Sequence, residues 1–482
     1  MIAKIVTLVL YAILIMAVGY IGSRKTKSFK DFLLGGGTVG PWMSALSYGT
    51  AYFSAVLFIG FAGKIGWVFG LSGLWIAVGN TLVGIMLVWL LIGKKVRVYA
   101  TTNGVSTMPE FLEHRFDSKF LKLFSSLSIF IFFIPYTAAV FMGLSYLFTT
   151  TFGIQYEYIL LFMGIFTGFY MLMGGYKSMA LMDFIFGIIM TIGVAVIMWF
   201  VLDRSGGVMA VVDKLRAIDP DLASPVGKPG FWPLASLVFL TSVAPLAMPQ
   251  LVQKFYAIKD DRSVKIGMVV STVFGLLVTA TAYFSGATGR LFVTPQTNPN
   301  AFADGKPVYD ALMPEMLSNI IPPAFFLVIL LLILAASMST LASLVLISGA
   351  TIAKDLYAGF LKKDASDKAQ VFMIRAASAF FIVLSMILAL TRPAVIVTIL
   401  AISWGAIASV FLGPFMWGLF WKGTTRTGAI AGSVVGLAVC ISLFVWRGEA
   451  FVAQAGSLGM LTSLAVVPVV SMMTGKPDKA AA

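Results

Sequence analysis

The sequence is poor in the residues that carry most metal and nucleophile chemistry. It has 1 cysteine and 1 histidine among 482 residues, and only 11% of its residues are charged. The single cysteine, Cys440, excludes a disulfide framework and a thiolate metal site. The only histidine, His114, lies beside Glu113 and Arg115 in a segment predicted to be a polar loop. Zinc and Ser-His chemistry are therefore nearly excluded, and we expect that the protein is not an enzyme.

Hydrophobic residues dominate what is present. They make up 59% of the chain, and apolar stretches of about 20 residues recur along its whole length. The pattern predicts an all-α polytopic membrane protein, with a single membrane domain over residues 1–482 surrounded by membrane lipid. The net charge of +14 falls in short loops between apolar segments, where the positive-inside rule explains it. We therefore expect no nucleic acid partner.

Thirteen apolar segments have the length of transmembrane helices. They lie near residues 3–22, 42–63, 70–92, 121–149, 157–174, 179–202, 231–255, 264–288, 319–352, 370–391, 395–420, 427–446 and 457–474. The first loop holds Arg24, Lys25, Lys27 and Lys30, whereas the loops at 203–230 and 289–318 carry both signs of charge. This alternation predicts a cell inner membrane protein with its N-terminus outside and its C-terminus in the cytoplasm.

Two of the predicted spans contain features that interrupt helices. The second span carries Gly49 among small and polar neighbours, which suggests a break there, and the seventh contains Pro245 and Pro249. Irregular backbone at membrane depth is tolerated only where it is buried in protein or lines a cavity. Paired interrupted spans are also the sequence pointer to a transporter binding site. Because the two spans are five apart, they predict a five-plus-five inverted repeat.

A carboxylate and a hydroxyl-bearing face stand out inside the spans. Asp183 lies in an otherwise apolar helix, and a charge at membrane depth normally faces a cavity, a partner or an ion path. Ser339 and Ser343 are spaced i and i+4, so they share one face of the ninth span. Carboxylate and hydroxyl oxygens favour a small hard cation such as Na+, although hydroxyls also serve as packing contacts between helices.

The sequence offers no sign of a nucleotide site. The glycine run at residues 35–37 lacks the Gly-Lys-Ser/Thr ending of a phosphate-binding loop and follows no predicted strand. We interpret this run as a turn that leads into the second span. No nucleotide-binding domain is evident, so we expect an ion gradient, and not ATP, to drive transport.

Five stretches of the sequence form an ordered set. They are Phe32–Gly36, Thr107–Phe116, Gly174–Ser178 ahead of Asp183, Ala335–Leu341 followed by Lys354–Tyr357, and Trp421–Gly432. Together they resemble the sodium/solute symporter family, the group of the bacterial proline permease, the sialic acid symporter and the sodium–glucose cotransporters. The resemblance covers residues 30–436, and it implies sodium-coupled symport of a small organic solute by alternating access.

The resemblance also implies a LeuT-like fold. In that fold residues 42–174 form the first repeat, which the fifth core helix at 179–202 closes, and residues 231–420 form the second repeat. One extra helix at 3–22 precedes the repeats, and two C-terminal helices at 427–474 follow them.

By the same resemblance, two groups of residues are candidate sodium ligands. The main site would use the carbonyls of Thr50, Phe53 and Ala336 and the hydroxyls of Ser339 and Thr340. A candidate second sodium or coupling site would use Asp183, Ser339 and Ser343. Ala342 stands where the sialic acid symporter has a third serine, which favours one sodium ion. Asp183 would then tune the main site or take part in gating.

The solute pocket departs from that of the proline permease, because Tyr52 replaces an aspartate and Val56 replaces a tryptophan. Tyr136 matches a tyrosine of that permease, although a packing role fits it equally well. The candidate substrate-binding residues are Tyr52, Val56, Tyr136, Thr241, Pro245 and Met248. We expect no lysine or arginine at pocket depth, and a small, fairly apolar pocket favours a small carboxylate or amino acid over a sugar.

Two other functions stay open on the sequence. One is a proton-coupled symporter of the same fold, with Asp183 as the titrating group. The other is a solute sensor, for which we would expect an added signalling domain. Replacing sodium with choline at fixed pH separates the two coupling ions.

Overall fold

The computed structural model describes residues 2–23, 29–173, 175–362 and 364–475, and within them it describes the side chains of residues 6–21 and 29–169 and of all residues from 175 on. In these ranges ten helices are long and apolar enough to cross a membrane, and two shorter apolar helices, Val6–Ile21 and Tyr156–Phe169, accompany them. The chain is therefore an all-α polytopic membrane protein. Arg24, Lys25, Lys27 and Gly174, which the sequence analysis singled out, lie outside the described residues.

The described helices follow one another with short connections. They are α1 Ile2–Ser23, α2 Phe29–Leu34, α3 Pro41–Tyr52, α4 Ala62–Phe69, α5 Leu74–Thr81, α6 Lys94–Asn103, α7 Met108–Phe116, α8 Lys119–Phe152, α9 Tyr156–Met173, α10 Tyr176–Ser205, α11 Val208–Ile218, α12 Phe231–Val243, α13 Pro249–Tyr256, α14 Asp261–Ala287, α15 Gly289–Phe292, α16 Tyr309–Ile320, α17 Pro323–Ala350, α18 Asp367–Thr391, α19 Ile396–Phe420, α20 Arg426–Arg447 and α21 Val452–Thr474. Wider π-helical turns continue several of them, at Val56–Phe61 ahead of α4, at Leu82–Leu87 and Trp89–Gly93 between α5 and α6, and at Thr351–Leu361 after α17. Two short antiparallel strands, β1 Phe302–Ala303 and β2 Lys306–Pro307, form a hairpin.

His114 lies in helix α7 and not in the predicted polar loop. The sequence carries a helix start there, because the Thr107 side chain accepts a hydrogen bond from the Glu110 amide and Pro109 occupies the first turn. The Glu110 carboxylate accepts a hydrogen bond from the Ser106 amide at 2.7 Å. These contacts stabilise the N-terminal turn, so the polar segment folds as a short helix.

Both predicted interruptions are present as broken helices. Helix α3 ends at Tyr52, Phe53 is extended with φ −113° and ψ 121°, and helical structure resumes at Val56. Helix α12 ends at Val243, and α13 begins at Pro249, which occupies its first turn. Proline is favoured at that position because its missing amide hydrogen would have no helical partner there.

The first break does not lie at Gly49, as the sequence suggested, but four residues later. Gly49 is inside α3, and a Cβ atom there would lie 2.5 Å from the Cδ1 atom of Phe274. This glycine therefore permits the close approach of α14, and it does not interrupt the helix.

Helix α3 packs against α10, α14 and α17, while α13 contacts α3 and α17. Helix α3, which precedes the first break, and α13, which follows the second, thus both lie beside α17, and α3 also lies beside α10. The C-terminal helices pack differently, through small residues: a Cβ at Gly405 would lie 2.7 Å from the Gly456 Cα, and one at Gly413 would lie 2.3 Å from the Ser463 carbonyl. Such contacts let helix backbones approach closely where no hydrophobic drive operates.

Candidate functional site

The break after α3 leaves backbone carbonyls without their usual helical donors. The Thr340 hydroxyl of α17 lies 3.5 Å from the Thr50 carbonyl and 3.3 Å from the Ala51 carbonyl, both in the last turn of α3. It also lies 3.2 Å from the Ala336 carbonyl of its own helix. We call these four oxygens the carbonyl–hydroxyl cluster. The single Thr340 hydroxyl proton satisfies only one carbonyl at a time, so several carbonyl oxygens converge on one donor, as oxygen ligands of a hard cation do.

Ser339 connects this cluster to the buried acid. Its hydroxyl donates to the Asp183 Oδ1 atom at 2.6 Å and lies 2.8 Å from the Thr50 hydroxyl. The Thr50 hydroxyl also donates to the Leu46 carbonyl at 2.7 Å. Residues of α3, α10 and α17 therefore meet at one point, where every side chain is fully buried.

The other residues of the predicted main site fall at or near the same point. Phe53 lies at the break itself, and its ring stacks on Tyr52 with centroids 4.5 Å apart. The Ala51 carbonyl, which the sequence analysis did not name, also lies within hydrogen-bond distance of Thr340. Every residue type supplies the same backbone carbonyl, so the sequence does not show which carbonyls at a helix end converge. The position of the break decides this.

Asp183 is paired with a lysine that the sequence analysis did not single out. The Lys254 Nζ atom lies 3.3 Å from the Asp183 Oδ2 atom, and the two side chains are 1% and 0% exposed. The Ser47 hydroxyl donates to the same Oδ2 atom at 2.5 Å. The Lys254 ammonium also lies 5.4 Å from the centre of the Tyr176 ring, whose negative face attracts a cation. We call this the Asp183–Lys254 pair.

The sequence carried one signal for this lysine. Lys254 is a charged residue that follows the proline break of the seventh span by five positions, so it belongs to a segment already suspected of lining a site. It also lies one residue before the predicted end of that span at residue 255, where basic residues commonly flank a membrane helix. All eight residues of α13 are buried, which shows that this half-helix is enclosed by protein.

The pair has no net charge, and this limits what binds beside it. A second unit positive charge at about 4 Å from the ammonium would be repelled by roughly 4 kcal/mol at an effective dielectric constant near 20. Ser343, the third predicted residue near Asp183, donates instead to the Ser339 carbonyl at 3.1 Å and lies 3.9 Å from the Met179 sulfur.

An aromatic cavity lies beside the same break. It is lined by Tyr52, Phe53, Ser54, Val56, Leu57, Phe61, Asn80, Tyr136, Thr241, Tyr283, Leu400 and Trp404, with no charged side chain among them. Trp404 stacks on Tyr52 at 5.8 Å between ring centroids and meets the edge of Tyr136 at 5.9 Å. The cavity volume is about 30 Å³, enough for one or two water molecules.

Four of the six predicted substrate-binding residues line this cavity: Tyr52, Val56, Tyr136 and Thr241. Pro245 and Met248 are buried in the break between α12 and α13 and are not among the lining residues. The sequence analysis missed Asn80, Tyr283 and Trp404. Asn80 had a signal, since an amide inside an apolar span marks a functional position. The two aromatic residues had none that separates them from packing residues.

Tyr52 joins the two broken helices across the cavity. Its hydroxyl donates to the Thr241 carbonyl at 2.6 Å, while the Thr241 hydroxyl donates to the Leu237 carbonyl at 2.8 Å. The Asn80 carbonyl oxygen accepts a hydrogen bond from Ser242 at 3.1 Å. The cavity therefore offers polar groups for orientation within mostly apolar walls, the usual character of a small-molecule site.

Three of the stretches that the sequence analysis singled out also meet in space. Thr107 donates to Asp355 at 2.8 Å, and Lys354 pairs with Glu110 at 2.8 Å. Arg115 donates to the Gly418 carbonyl at 2.8 Å, close to the Trp421 segment. Stretches that are 200 or more residues apart are thus joined on one side of the molecule.

A family model, described as the sodium:solute symporter family, matches residues 32–436. The osmoregulated proline transporter OpuE of Bacillus subtilis strain 168 is 29% identical and aligns with 99% of this chain and 96% of its own length. The sodium/pantothenate symporter of Escherichia coli K12 is 27% identical, with 90% of this chain and 88% of its own length covered.

Among solved structures, a Na+-coupled sialic acid symporter in a substrate-bound outward-open state has a TM-score of 0.83 at 18% identity, with 98% of each chain covered. Mhp1, a nucleobase-cation-symport-1 family transporter, has a TM-score of 0.51 at 14% identity, with 92% of this chain and 95% of its own covered. These likenesses show the fold, which is LeuT-like.

Proposed function

Because the chain belongs to the sodium:solute symporter family and is a sodium-coupled symporter of a small solute, we propose that it imports a small carboxylate or amino acid by alternating access. Sodium and the solute are its transported substrates. The finer proposal is supported by one observation: the break after α3 has the carbonyl–hydroxyl cluster on one side and an uncharged aromatic cavity on the other.

The proposed main sodium site comprises the carbonyl–hydroxyl cluster together with Ser339 and the Phe53 carbonyl. Sodium there would bridge α3 and α17 and hold the break in one arrangement. The cavity residues lie directly beside that break, so an arrangement fixed by sodium is also the one that binds solute. Entry of one charge across 100 mV supplies roughly 2.3 kcal/mol toward uptake.

The chemistry of the cavity supports a carboxylate-bearing solute of modest size. Relatives of this chain are named as proline transporters and pantothenate symporters. No charged residue lines the cavity, so a solute carboxylate would be balanced by the nearby sodium and by the positive end of the helix that resumes at Val56. A sugar would require more hydroxyl and amide partners than the lining provides.

We further propose thirteen spans in an inner membrane, with the N-terminus outside. In this arrangement α3 to α10 form the first inverted repeat and α12 to α19 form the second, with α1 before them and α20 and α21 after them. The only cysteine is buried, so single cysteines placed at exposed positions report topology cleanly. Lys306→Cys should react with an impermeant maleimide in intact cells, whereas Lys422→Cys should react only after permeabilisation. The opposite pattern would reverse the proposed orientation.

The solute proposal is tested by thermal stability of the purified protein with proline, pantothenate, lactate and glucose, each in sodium and in choline at one pH. A ligand that binds the folded state raises the melting temperature by mass action. We expect a carboxylate to stabilise the protein in sodium only, and prolinamide, which lacks the carboxylate, to have no effect. Stabilisation by glucose and by no carboxylate would overturn the solute class.

A further inference from the structure

Lys254 is a buried cation beside Asp183, the carboxylate of the candidate second sodium site. Its ammonium lies 3.3 Å from the Asp183 Oδ2 atom, and both side chains are shielded from solvent. It comes from α13, an eight-residue half-helix that is buried throughout and contacts α3 and α17. The ammonium group therefore belongs to a buried helix inside the protein and not to a side chain at the surface.

The oxygens of Asp183 are already engaged. Ser339 donates to the Oδ1 atom at 2.6 Å, and Ser47 donates to the Oδ2 atom at 2.5 Å beside the ammonium. An ionised carboxylate has about four acceptor positions, so two hydroxyls and an ammonium occupy most of them. A sodium ion would have to displace one of these donors and would also sit beside the ammonium charge.

The third residue of the candidate second site, Ser343, makes its hydrogen bond elsewhere. Ser343 donates to the Ser339 carbonyl at 3.1 Å, and the neighbouring Ala342 has no polar side chain. The ligand set that would be needed for a second sodium ion is therefore incomplete where the charge is already balanced. The balanced charge and the incomplete ligand set both argue against a second sodium ion at Asp183.

We propose that the Lys254 ammonium serves as a tethered cation in place of a second sodium ion, so that this protein couples one sodium ion to each solute. The proposal rests on the function proposed above, because it concerns the same three helices and assumes that sodium binds at the carbonyl–hydroxyl cluster. Lys254 acts here as a residue that determines coupling stoichiometry. Removing its charge should leave Asp183 able to recruit sodium.

The test is to count bound sodium with ²²Na+ at equilibrium, at one pH, on the purified full-length protein. Wild type should bind about one ion, and Lys254→Met, which keeps the length and removes the charge, should bind about two, with a larger rise in melting temperature as sodium replaces choline. The double variant Asp183→Asn/Lys254→Met should return to about one ion, because neither charge of the pair remains.

Lys354→Met is the matched control, since Lys354 also pairs with a carboxylate, that of Glu110, but lies away from Asp183. It should leave the sodium count of wild type unchanged. A Lys254→Met protein that folds only at high sodium would support the proposal. The proposal would be overturned if Lys254→Met still bound about one sodium ion. It would also be overturned if Lys254→Met and the double variant Asp183→Asn/Lys254→Met both failed to fold at every sodium concentration. Wild type that binds no sodium would instead overturn the main sodium site and leave the pair a purely structural contact.

Discussion

The two sides of the α3 break differ sharply in charge although only a few residues separate them. On one side lie Asp183, Lys254 and the converging oxygens of α3 and α17. On the other side lies a cavity lined by aromatic and neutral polar groups. Both sides are buried, so burial alone does not decide their chemistry. In the proposed function, one break therefore serves two ligands, a cation that needs oxygen ligands and a solute that needs a cavity of matching shape.

The largest expected effect is a loss of folding stability when the Asp183–Lys254 pair loses one of its charges. Asp183→Asn removes the carboxylate and leaves the Lys254 ammonium buried without its counter-charge, which should lower the free energy of unfolding by about 3–5 kcal/mol. Thermal unfolding in detergent measures this loss. The double variant with Lys254→Met should recover most of it, and a single variant as stable as wild type would contradict the pairing.

The aromatic cavity should bind its solute more weakly when one of its lining residues carries a negative charge. Asn80→Asp changes one atom and places a carboxylate at the cavity, where a solute carboxylate about 6 Å away would be repelled by roughly 3 kcal/mol, about a hundredfold in affinity. The solute concentration for half-maximal uptake at pH 8 measures this effect. The control is Asn103→Asp, at the exposed end of α6, which should leave the solute concentration for half-maximal uptake unchanged. Unchanged uptake in Asn80→Asp would show that the cavity does not hold the carboxylate.

The oxygens of the charged side should set the sodium requirement. Thr340→Ala removes the hydroxyl that faces the Thr50 and Ala51 carbonyls, so half-maximal uptake should need about tenfold more sodium, and Ser339→Ala should act in the same direction. Ser343→Ala lies on the same helix and should change the requirement less than about twofold, since its bond stays within α17. The site assignment would not survive an unchanged sodium dependence in both the Thr340 and the Ser339 variants.

The smallest effect should come from the hydrogen bond that spans the cavity. Tyr52→Phe removes the donor to the Thr241 carbonyl, and solute affinity should fall about threefold while sodium dependence stays the same. Tyr48→Phe removes a comparable bond, to the Gly84 carbonyl at 2.8 Å, and should leave solute affinity unchanged. A shift in sodium dependence in Tyr52→Phe would mean that the two sides are less separate than their charges indicate.

The helical pattern was predictable because apolar length and helix-breaking residues are local properties. Pro249 marked the second break correctly, since a proline removes an amide donor wherever it occurs in the chain. The prediction of a break at Gly49 was wrong, because glycine can either interrupt a helix or allow a neighbouring helix to approach closely. The close contact with Phe274 decides between these roles, and it is made by a residue of another helix.

The candidate site was only partly predictable. The spacing of its hydroxyl from that of Ser343 indicated Ser339, and the family resemblance indicated Thr340. The Ala51 carbonyl, by contrast, depends on where the chain leaves α3. Tyr283 and Trp404 line the cavity, yet by sequence they are aromatic residues among many in apolar spans. Their role depends on which helix face meets the break, and this is set by packing.

The amino-acid sequence predicts an all-α membrane protein with two broken helices and a buried charge, Asp183, that needs a partner. The identity of this partner, Lys254, is seen only in the packed structure, because the two residues lie 71 positions apart in the chain. The physical reason is that hydrophobicity and helix breaking act over one turn of helix, whereas a buried charge is balanced by whatever group the packed helices bring within a few ångströms of it.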